Sequence, residues 1–176
     1  MSDLNKYNII LKKLSLDKIE LIRNWRNDPK ISQYMDFKEY ITPEMQSAWF
    51  NKINNESNLY YIINYNDKEI GLVYTKDINY IKKNAEAGIF IYDDEYLLTD
   101  IGFRAQLCNI DYVFENLNLN YLYGYVMSFN KKAIRFSKAL GYLIDENQDE
   151  EKKQRYTLTK DRYLEYKNKL LKLLKL

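Results

Sequence analysis

The sequence predicts an α/β (α+β) fold: one mixed central sheet of about seven strands with helices on both faces. Three observations predict it. Three strand-like segments follow one another in the middle of the chain, two of them split by a short polar turn, which is the pattern of an antiparallel run. From there strand and helix alternate, which is the pattern of a sheet with crossover helices. The chain has 176 residues, 46% of them hydrophobic, which suits a single domain with its own core. Residues 1–158 carry the sheet. Residues 159–176 form a C-terminal amphipathic helix, part of the same domain or of a subunit interface, and a homodimer is one assembly this allows.

Each element has its own signal. Tyr7 to Leu14 reads as the first strand. In Asp17 to Asn27 the residues Ile19, Leu21, Ile22 and Trp25 make one apolar face, so a helix is expected there, stopped by Pro29. Thr42 and Pro43 open a second helix, the threonine as N-cap and the proline at the first helical position, running to about Asn54. Leu59–Tyr65 and Glu69–Tyr74 form a hairpin around Asn66-Asp67-Lys68, and Ala85–Tyr92 is the next strand. After a loop from Asp93 to Ile101, Gly102–Leu117 is helical, with Leu107, Ile110, Phe114 and Leu117 on one side. Tyr121–Met127 is a strand, and Asn130–Leu140 a helix with Gly141 as its C-cap. Leu143–Asp145 and Arg155–Leu158 pair around a charged loop. The tail from Thr159 is basic and amphipathic, and docking on the fold or on a second subunit is its ordinary use, a membrane surface the other.

Composition excludes several kinds of chemistry. The net charge of +2 is too small to imply nucleic-acid binding. The chain has one cysteine, Cys108, and no histidine. An internal disulfide is therefore impossible, His-based triads are excluded, and no metal site is expected. Cys108 reads as a small buried hydrophobe in a helix. Any general base is a carboxylate, a tyrosine, a lysine or a relayed water. No apolar signal core opens the chain and no apolar run is long enough to span a bilayer, so a cytoplasmic protein with no stable membrane insertion is expected.

Four segments between Asn84 and Tyr142 carry a resemblance. They are Ala85-Glu86-Ala87-Gly88-Ile89-Phe90-Ile91, Ile101-Gly102-Phe103-Arg104-Ala105, Asp111 to Leu119, and Asn130-Lys131-Lys132-Ala133 through Leu140-Gly141-Tyr142. In this order and spacing they resemble the GNAT acyltransferase superfamily. Leu21 to Pro29, with its Trp25-Arg26-Asn27 core, followed by Tyr34-Met35, is similar to the opening of GNAT enzymes that acylate nucleotide-linked amino sugars, those of the pseudaminic-acid pathway type. The protein N-terminal acetyltransferases of the RimJ/RimL type share a looser version. The resemblance spans about residues 7–158 and leaves out the C-terminal helix.

The resemblance implies a GNAT fold with a splay between its fourth and fifth strands, and transfer of an acyl group from acetyl-CoA or another acyl-CoA to an amine. The backbone of Ile89 and Ile91 would pair with the pantetheine arm, one N–H polarising the thioester carbonyl. The pyrophosphate would sit on free N–H groups at the start of the central helix, at Thr99, Asp100, Ile101, Gly102, Phe103 and Arg104. Here the sequence departs from the family. Leu97-Leu98-Thr99-Asp100 replace the usual basic or Gln residue and first glycine, and only Gly102 remains. Asp100 brings a negative charge that Arg104 is placed to compensate. Asn130, Lys132 and Phe136 would complete the cofactor contacts, with Lys131 beside them.

Glu86 is the candidate base, taking the ammonium proton directly or through water, or else a solvated strand glutamate or a salt-bridge partner. Ser137 stands where the family often has the tyrosine that protonates the leaving thiolate. It either donates there or is a small helix residue allowing close packing, with Tyr142 or another tyrosine as substitute. Arg26 would hold the acceptor's diphosphate with its guanidinium fork, with Asn27 and Trp25 beside it, Trp25 reading equally as core. The expected acceptor is a nucleotide-linked amino sugar in surface-glycan synthesis. The alternatives are a protein N-terminus, or a GNAT fold kept for binding without catalysis.

Overall fold

A computed structural model describes residues 2–176. One eight-stranded sheet runs through it in the order β1-β2-β3-β4-β5-β6-β8-β7. The strands are β1 (Leu4–Lys6), β2 (Ile9–Lys13), β3 (Leu59–Tyr65), β4 (Lys68–Asn79), β5 (Asn84–Ile91), β6 (Tyr121–Met127), β7 (Leu143–Ile144) and β8 (Lys153–Thr159). The helices are α1 (Ile19–Asn27), α2 (Pro29–Ser32), α3 (Pro43–Ile53), α4 (Ile101–Glu115), α5 (Lys131–Ala139) and α6 (Lys160–Leu174).

The eighth strand corrects the first expected element. Tyr7–Leu14 is not one strand but the second half of a hairpin. Tyr7 and Asn8 both take left-handed backbone angles, φ 59° and 55°, and fold Leu4–Lys6 back onto Ile9–Leu11. A two-residue turn of this hand usually carries glycine, which is why Tyr-Asn gave no signal. The other hairpin turn, Asn66-Asp67, has the same geometry with φ 48° and 60°, and its residues do announce it. Two caps fall where expected: Thr42 accepts from the Met45 N–H at the start of α3, and Asn130 from the Ala133 N–H at the start of α5. Thr159 adds a third, accepting from the Arg162 N–H at the start of α6.

The sheet separates two cores. On one face α4 and α6 cover Ile9, Leu11, Ile63, Val73, Ala85 and Ala87, with Cys108, Phe114, Tyr163 and Leu170 among the buried contributors. Burial pushes the Cys108 thiol up to about 12, so it stays protonated and apolar in behaviour. On the other face α1 and α3 cover Ile62 and Leu72 with Ile22, Trp25 and Phe50. Alternation along β5 assigns Ala85 and Ala87 to the first face and Phe90 to the second.

One buried carboxylate ties three elements on the first face. Asp111 of α4, whose side chain is 2% exposed, accepts from Lys6, from the Tyr7 hydroxyl at 2.6 Å, from Tyr163 at 2.7 Å and from Lys167 at 2.5 Å. The β1–β2 hairpin and α6 are thereby both fastened to the central helix.

β5 and β6 form the parallel pair of the sheet, and they part early. They are paired only at Asn84↔Tyr121, Ala85↔Leu122 and Glu86↔Tyr123. Beyond that, β5 runs on along β4 to Ile91 and β6 runs on along β8 to Met127. At the fork the strands are still close, because a Cβ on Gly124 would lie 2.8 Å from the Ala87 carbonyl oxygen. The expected splay is therefore present, between the fifth and sixth strands once the extra hairpin strand is counted.

Candidate active site

The fork leaves backbone groups of β5 without a strand partner. The Tyr92 N–H donates to the Ile70 carbonyl at 2.8 Å. In an antiparallel ladder, residues that exchange hydrogen bonds alternate with residues that do not. Glu86, Gly88 and Phe90 therefore face β4 with their N–H and C=O groups. Ala87, Ile89 and Ile91 face the gap left by β6. An edge of this kind, inside the sheet, pairs with an extended chain from outside.

At the end of that edge lies the start of α4. The Asp100 carboxylate does not cap the helix. It is held by Arg104, whose Nε donates at 2.8 Å and whose second nitrogen lies 2.7 Å away. The compensation expected of Arg104 is thus built, and the same guanidinium donates to the Tyr7 carbonyl. Thr99 turns its hydroxyl inward, donating to Tyr96 and accepting from the Ile101 N–H. Backbone partners are found for the Arg104 N–H but not for those of Gly102 and Phe103, among the described residues. These two first-turn donors are free to hold an anion.

Several expected cofactor residues converge there. A Cβ on Gly102 would meet the Phe136 ring at 3.4 Å and the Ile91 side chain at 3.9 Å, and the Phe103 and Phe136 rings lie 4.6 Å apart. Ile91, Gly102, Phe103 and Phe136 thus make one apolar wall beside the free N–H groups. Asn130 is spent on its cap, Lys131 donates to the Ser128 carbonyl, and Lys132 is exposed. Ser137 is half-buried on α5 and is not among the residues lining the cleft described next. Tyr142 is 5% exposed, and its hydroxyl is buried without a partner.

On the opposite face of the sheet the fork opens into a cleft of about 250 Å³. Its floor is Tyr60, Leu72, Tyr74, Lys76, Glu86 and Phe90, and its walls include Arg26 of α1, Trp49 of α3, and Met127 and Lys153 across the gap. The segment Met35-Asp36-Phe37 closes one side, and Asp36 is paired with Lys153 of β8. Glu86 sits at the last paired position of the fork, 14% exposed, 3.1 Å from the Lys76 ammonium. Glu86 is thus a salt-bridge partner of Lys76, and its residue also lines the cleft.

Arg26 is the exceptional charge. Its guanidinium lies over the Trp49 ring at 6.0 Å and has no carboxylate within ion-pair distance among the described residues. Burial pushes it below the usual arginine range, with only the phenols of Tyr60 and Tyr74 acting the other way. Its two neighbours in sequence do other work. Trp25 is 4% exposed, stacked on Tyr92 and edge-on to Phe90, so it is core and is not brought to the cleft. Asn27 is not brought there either. Its amide donates to the Ile41 carbonyl at 2.9 Å and accepts from the Ile41 N–H at 2.8 Å.

The floor residues Tyr60, Tyr74 and Lys76 and the wall residues Trp49 and Lys153 escaped the sequence reading. Alternation along β4 places Leu72, Tyr74 and Lys76 on one face, but which face lines a cleft depends on the fork, which no local signal reports.

Comparison with known proteins now has a geometry to meet. Residues 8–143 match the family described as Acetyltransferase (GNAT) domain. The chain is 33% identical over 138 residues to Acetyltransferase PseH of Campylobacter jejuni, covering 77% of this chain and 84% of that one. It is 26% identical over 140 residues to Spermidine N(1)-acetyltransferase of Escherichia coli, covering 79% of this chain and 75% of that one. Among solved structures, spermidine N-acetyltransferase from Vibrio cholerae in complex with CoA and spermine superposes with a TM-score of 0.74 at 26% identity, covering 90% of this chain and 99% of that one.

Proposed function

Since the chain belongs to the GNAT acetyltransferase family, we propose that it transfers an acyl group from acyl-CoA to the amine of a nucleotide-linked amino sugar. The observation that carries the acceptor is Arg26, a half-buried guanidinium in the cleft with an aromatic neighbour and no carboxylate of its own. Such a group matches a diphosphate, which it can grip with two parallel hydrogen bonds. The similarity to PseH, and the likeness of the Trp25-Arg26-Asn27 segment to enzymes of that kind, point the same way.

The relatives that act on spermidine raise a second acceptor, a polyamine. The charge of the cleft disfavours it. Arg26, Lys76 and Lys153 supply three cations against the two carboxylates Asp36 and Glu86, and both carboxylates already have a lysine partner. A polycation would find no free anion there.

In this reading the fork joins two half-sites. The pantetheine arm takes the place of the missing strand along Ala87–Ile91, and the pyrophosphate takes the free N–H groups of Gly102 and Phe103. Asp100 is neutralised by Arg104 and does not oppose it. From the other face Arg26 holds the acceptor, and Glu86, oriented by Lys76, takes a proton from its ammonium directly or through water. The freed amine attacks the acyl carbon at the fork, the C–N bond forms, the C–S bond breaks, and the amide results.

Thermal stability against a panel tests this: acetyl-CoA, longer acyl-CoAs, CoA, UDP- and dTDP-linked amino sugars, and spermidine. The expected result is stabilisation by one acyl-CoA and one nucleotide amino sugar, with none from spermidine. Stabilisation by spermidine and not by any nucleotide sugar would reverse the choice of acceptor.

A further inference from the structure

Acyl transfer needs a donor for the thioester oxygen as it gathers negative charge, beyond the single backbone N–H that an open strand edge supplies. The helix position expected to provide a side-chain hydroxyl near the reacting atoms carries Ser137, which lies outside the cleft. The opposite face of the fork does carry one.

Tyr74 of β4 stands directly across from Gly88 of β5 in the register of the sheet. Its ring lies over that glycine. A Cβ built on Gly88 would come within 2.3 Å of the Tyr74 hydroxyl oxygen and within 2.4 Å and 2.7 Å of two ring carbons. Gly88 does not adopt a positive φ, so it is not a turn glycine. What it provides is room: the missing side chain lets the phenol reach across to β5, two residues past the last paired position of the fork, Glu86. The ring is fixed from behind by Tyr60, stacked at 5.4 Å. The hydroxyl has no hydrogen-bond partner among the described residues, and it opens on the same cleft as Glu86.

A tyrosine held this way has one chemical use. Burial, followed by the neighbouring Glu86 and Tyr60, pushes the phenol above its ordinary range, so it remains protonated and is a hydrogen-bond donor rather than a base or a proton source. Its oxygen occupies the place a Gly88 side chain would take, on the cleft face of β5, one residue before Ile89, whose N–H faces the gap.

We propose that Tyr74 is a catalytic residue whose hydroxyl donates to the thioester carbonyl oxygen, forming with the Ile89 N–H a two-donor oxyanion hole across Gly88. The acceptor ammonium loses one proton to Glu86 or its water, and the neutral amine attacks the carbonyl carbon. The carbonyl electron pair moves onto oxygen under the two donors, then returns as the C–S bond breaks. The second amine proton goes to the departing thiolate, and Tyr74 keeps its own. The assignment rests on the acyl-CoA reading of the fork and is independent of which amine is the acceptor.

The test is infrared difference spectroscopy of acetyl-CoA carrying a ¹³C-labelled carbonyl, bound to the wild-type protein and to Tyr74→Phe. The phenylalanine keeps the ring over Gly88 and removes only the hydroxyl. The wild type is expected to lower the carbonyl stretch relative to free acetyl-CoA, and Tyr74→Phe to return most of that shift with binding and melting temperature unchanged. Gly88→Ala, whose Cβ would displace the phenol, should likewise return the carbonyl shift, with a lower melting temperature. With an accepted amine, kcat should fall by about a hundredfold in Tyr74→Phe with little change in KM. An unchanged carbonyl band in a Tyr74→Phe protein that still binds acetyl-CoA overturns the role of Tyr74 and leaves the acyl-CoA reading standing. A wild-type protein that binds neither acetyl-CoA nor any longer acyl-CoA overturns both.

Discussion

Two charges withdrawn from solvent, Asp111 fully buried and Arg26 half-buried, are treated in opposite ways. Asp111, on the α4–α6 face, is surrounded by donors: two lysines and two tyrosine hydroxyls reach one carboxylate. Arg26, on the α1–α3 face, has no anionic partner at all among the described residues. Burying a charge is costly unless it is paired and hydrogen-bonded, so the first arrangement is what a fold does for itself. The second is retained against that cost, and it lies in a cleft. The difference separates a charge that holds the protein together from one reserved for a ligand.

The comparison can be broken most forcefully at Asp111. Asp111→Ala leaves Lys167, only 14% exposed, without its closest carboxylate, and unfastens both the β1–β2 hairpin and α6. A loss of about 3 kcal/mol or more is expected, measured by urea unfolding, with activity per folded molecule preserved at low temperature. The effect should also be visible as pH dependence. Burial pushes the Asp111 carboxyl up, but the hydrogen bonds from Lys167, Lys6, Tyr7 and Tyr163 together outweigh it and hold the group below its ordinary value. A carboxyl lowered in the folded state adds stability above its unfolded pKa and loses it as pH falls through the folded one. The wild type should therefore lose stability below about pH 4 more steeply than Asp111→Asn. Equal slopes would remove Asp111 from the argument.

Arg26→Gln is the reciprocal variant. No anionic partner is lost, only the contact with the Trp49 ring, so stability should hold or rise slightly. Affinity for the nucleotide amino sugar should drop about tenfold to a hundredfold, the range of a charge-assisted hydrogen bond, and stabilisation by the free nucleoside diphosphate should disappear with it. Calorimetric titration reads this directly. A large loss of stability with intact binding would make Arg26 a second Asp111 and end the contrast.

These two sites were not equally legible. Arg26 stood out in the sequence because its Trp-Arg-Asn setting resembles a family motif, whereas Asp111 was read only as part of a helix ending. Its partners lie 105, 104, 52 and 56 positions away in the chain, too far for any local pattern to bring them together. Helices with capping residues and hairpins with polar turns were readable for the opposite reason, since their determinants are within a few residues. The wall at Ile91, Gly102 and Phe136 was legible because a motif fixes each segment. Tyr74 was not, because its position is decided by register with Gly88 on another strand and by the fork beyond it. The Tyr7-Asn8 hairpin failed on turn chemistry alone.

Asn27 sharpens the comparison at its finest grain, since it adjoins Arg26 and was expected to share its role. Its carboxamide is spent in both directions on the Ile41 backbone, which leads directly into the Thr42 cap of α3. Asn27 therefore locks the end of α1 to the start of the helix that carries Trp49 into the cleft. Asn27→Ala should orphan the Ile41 N–H, while the Ile41 carbonyl keeps its hydrogen bond from Arg23, and cost about 1–2 kcal/mol in thermal or urea unfolding. Well below the melting temperature, KM for the acceptor should stay within about twofold of wild type, because no group touching the ligand is removed. If KM instead rises as in Arg26→Gln, then the position of Trp49 over the guanidinium is what Asn27 secures. In that case the open charge of the cleft depends on a closed bracket beside it, and the line between the two kinds of site runs through α3 rather than between the faces of the sheet.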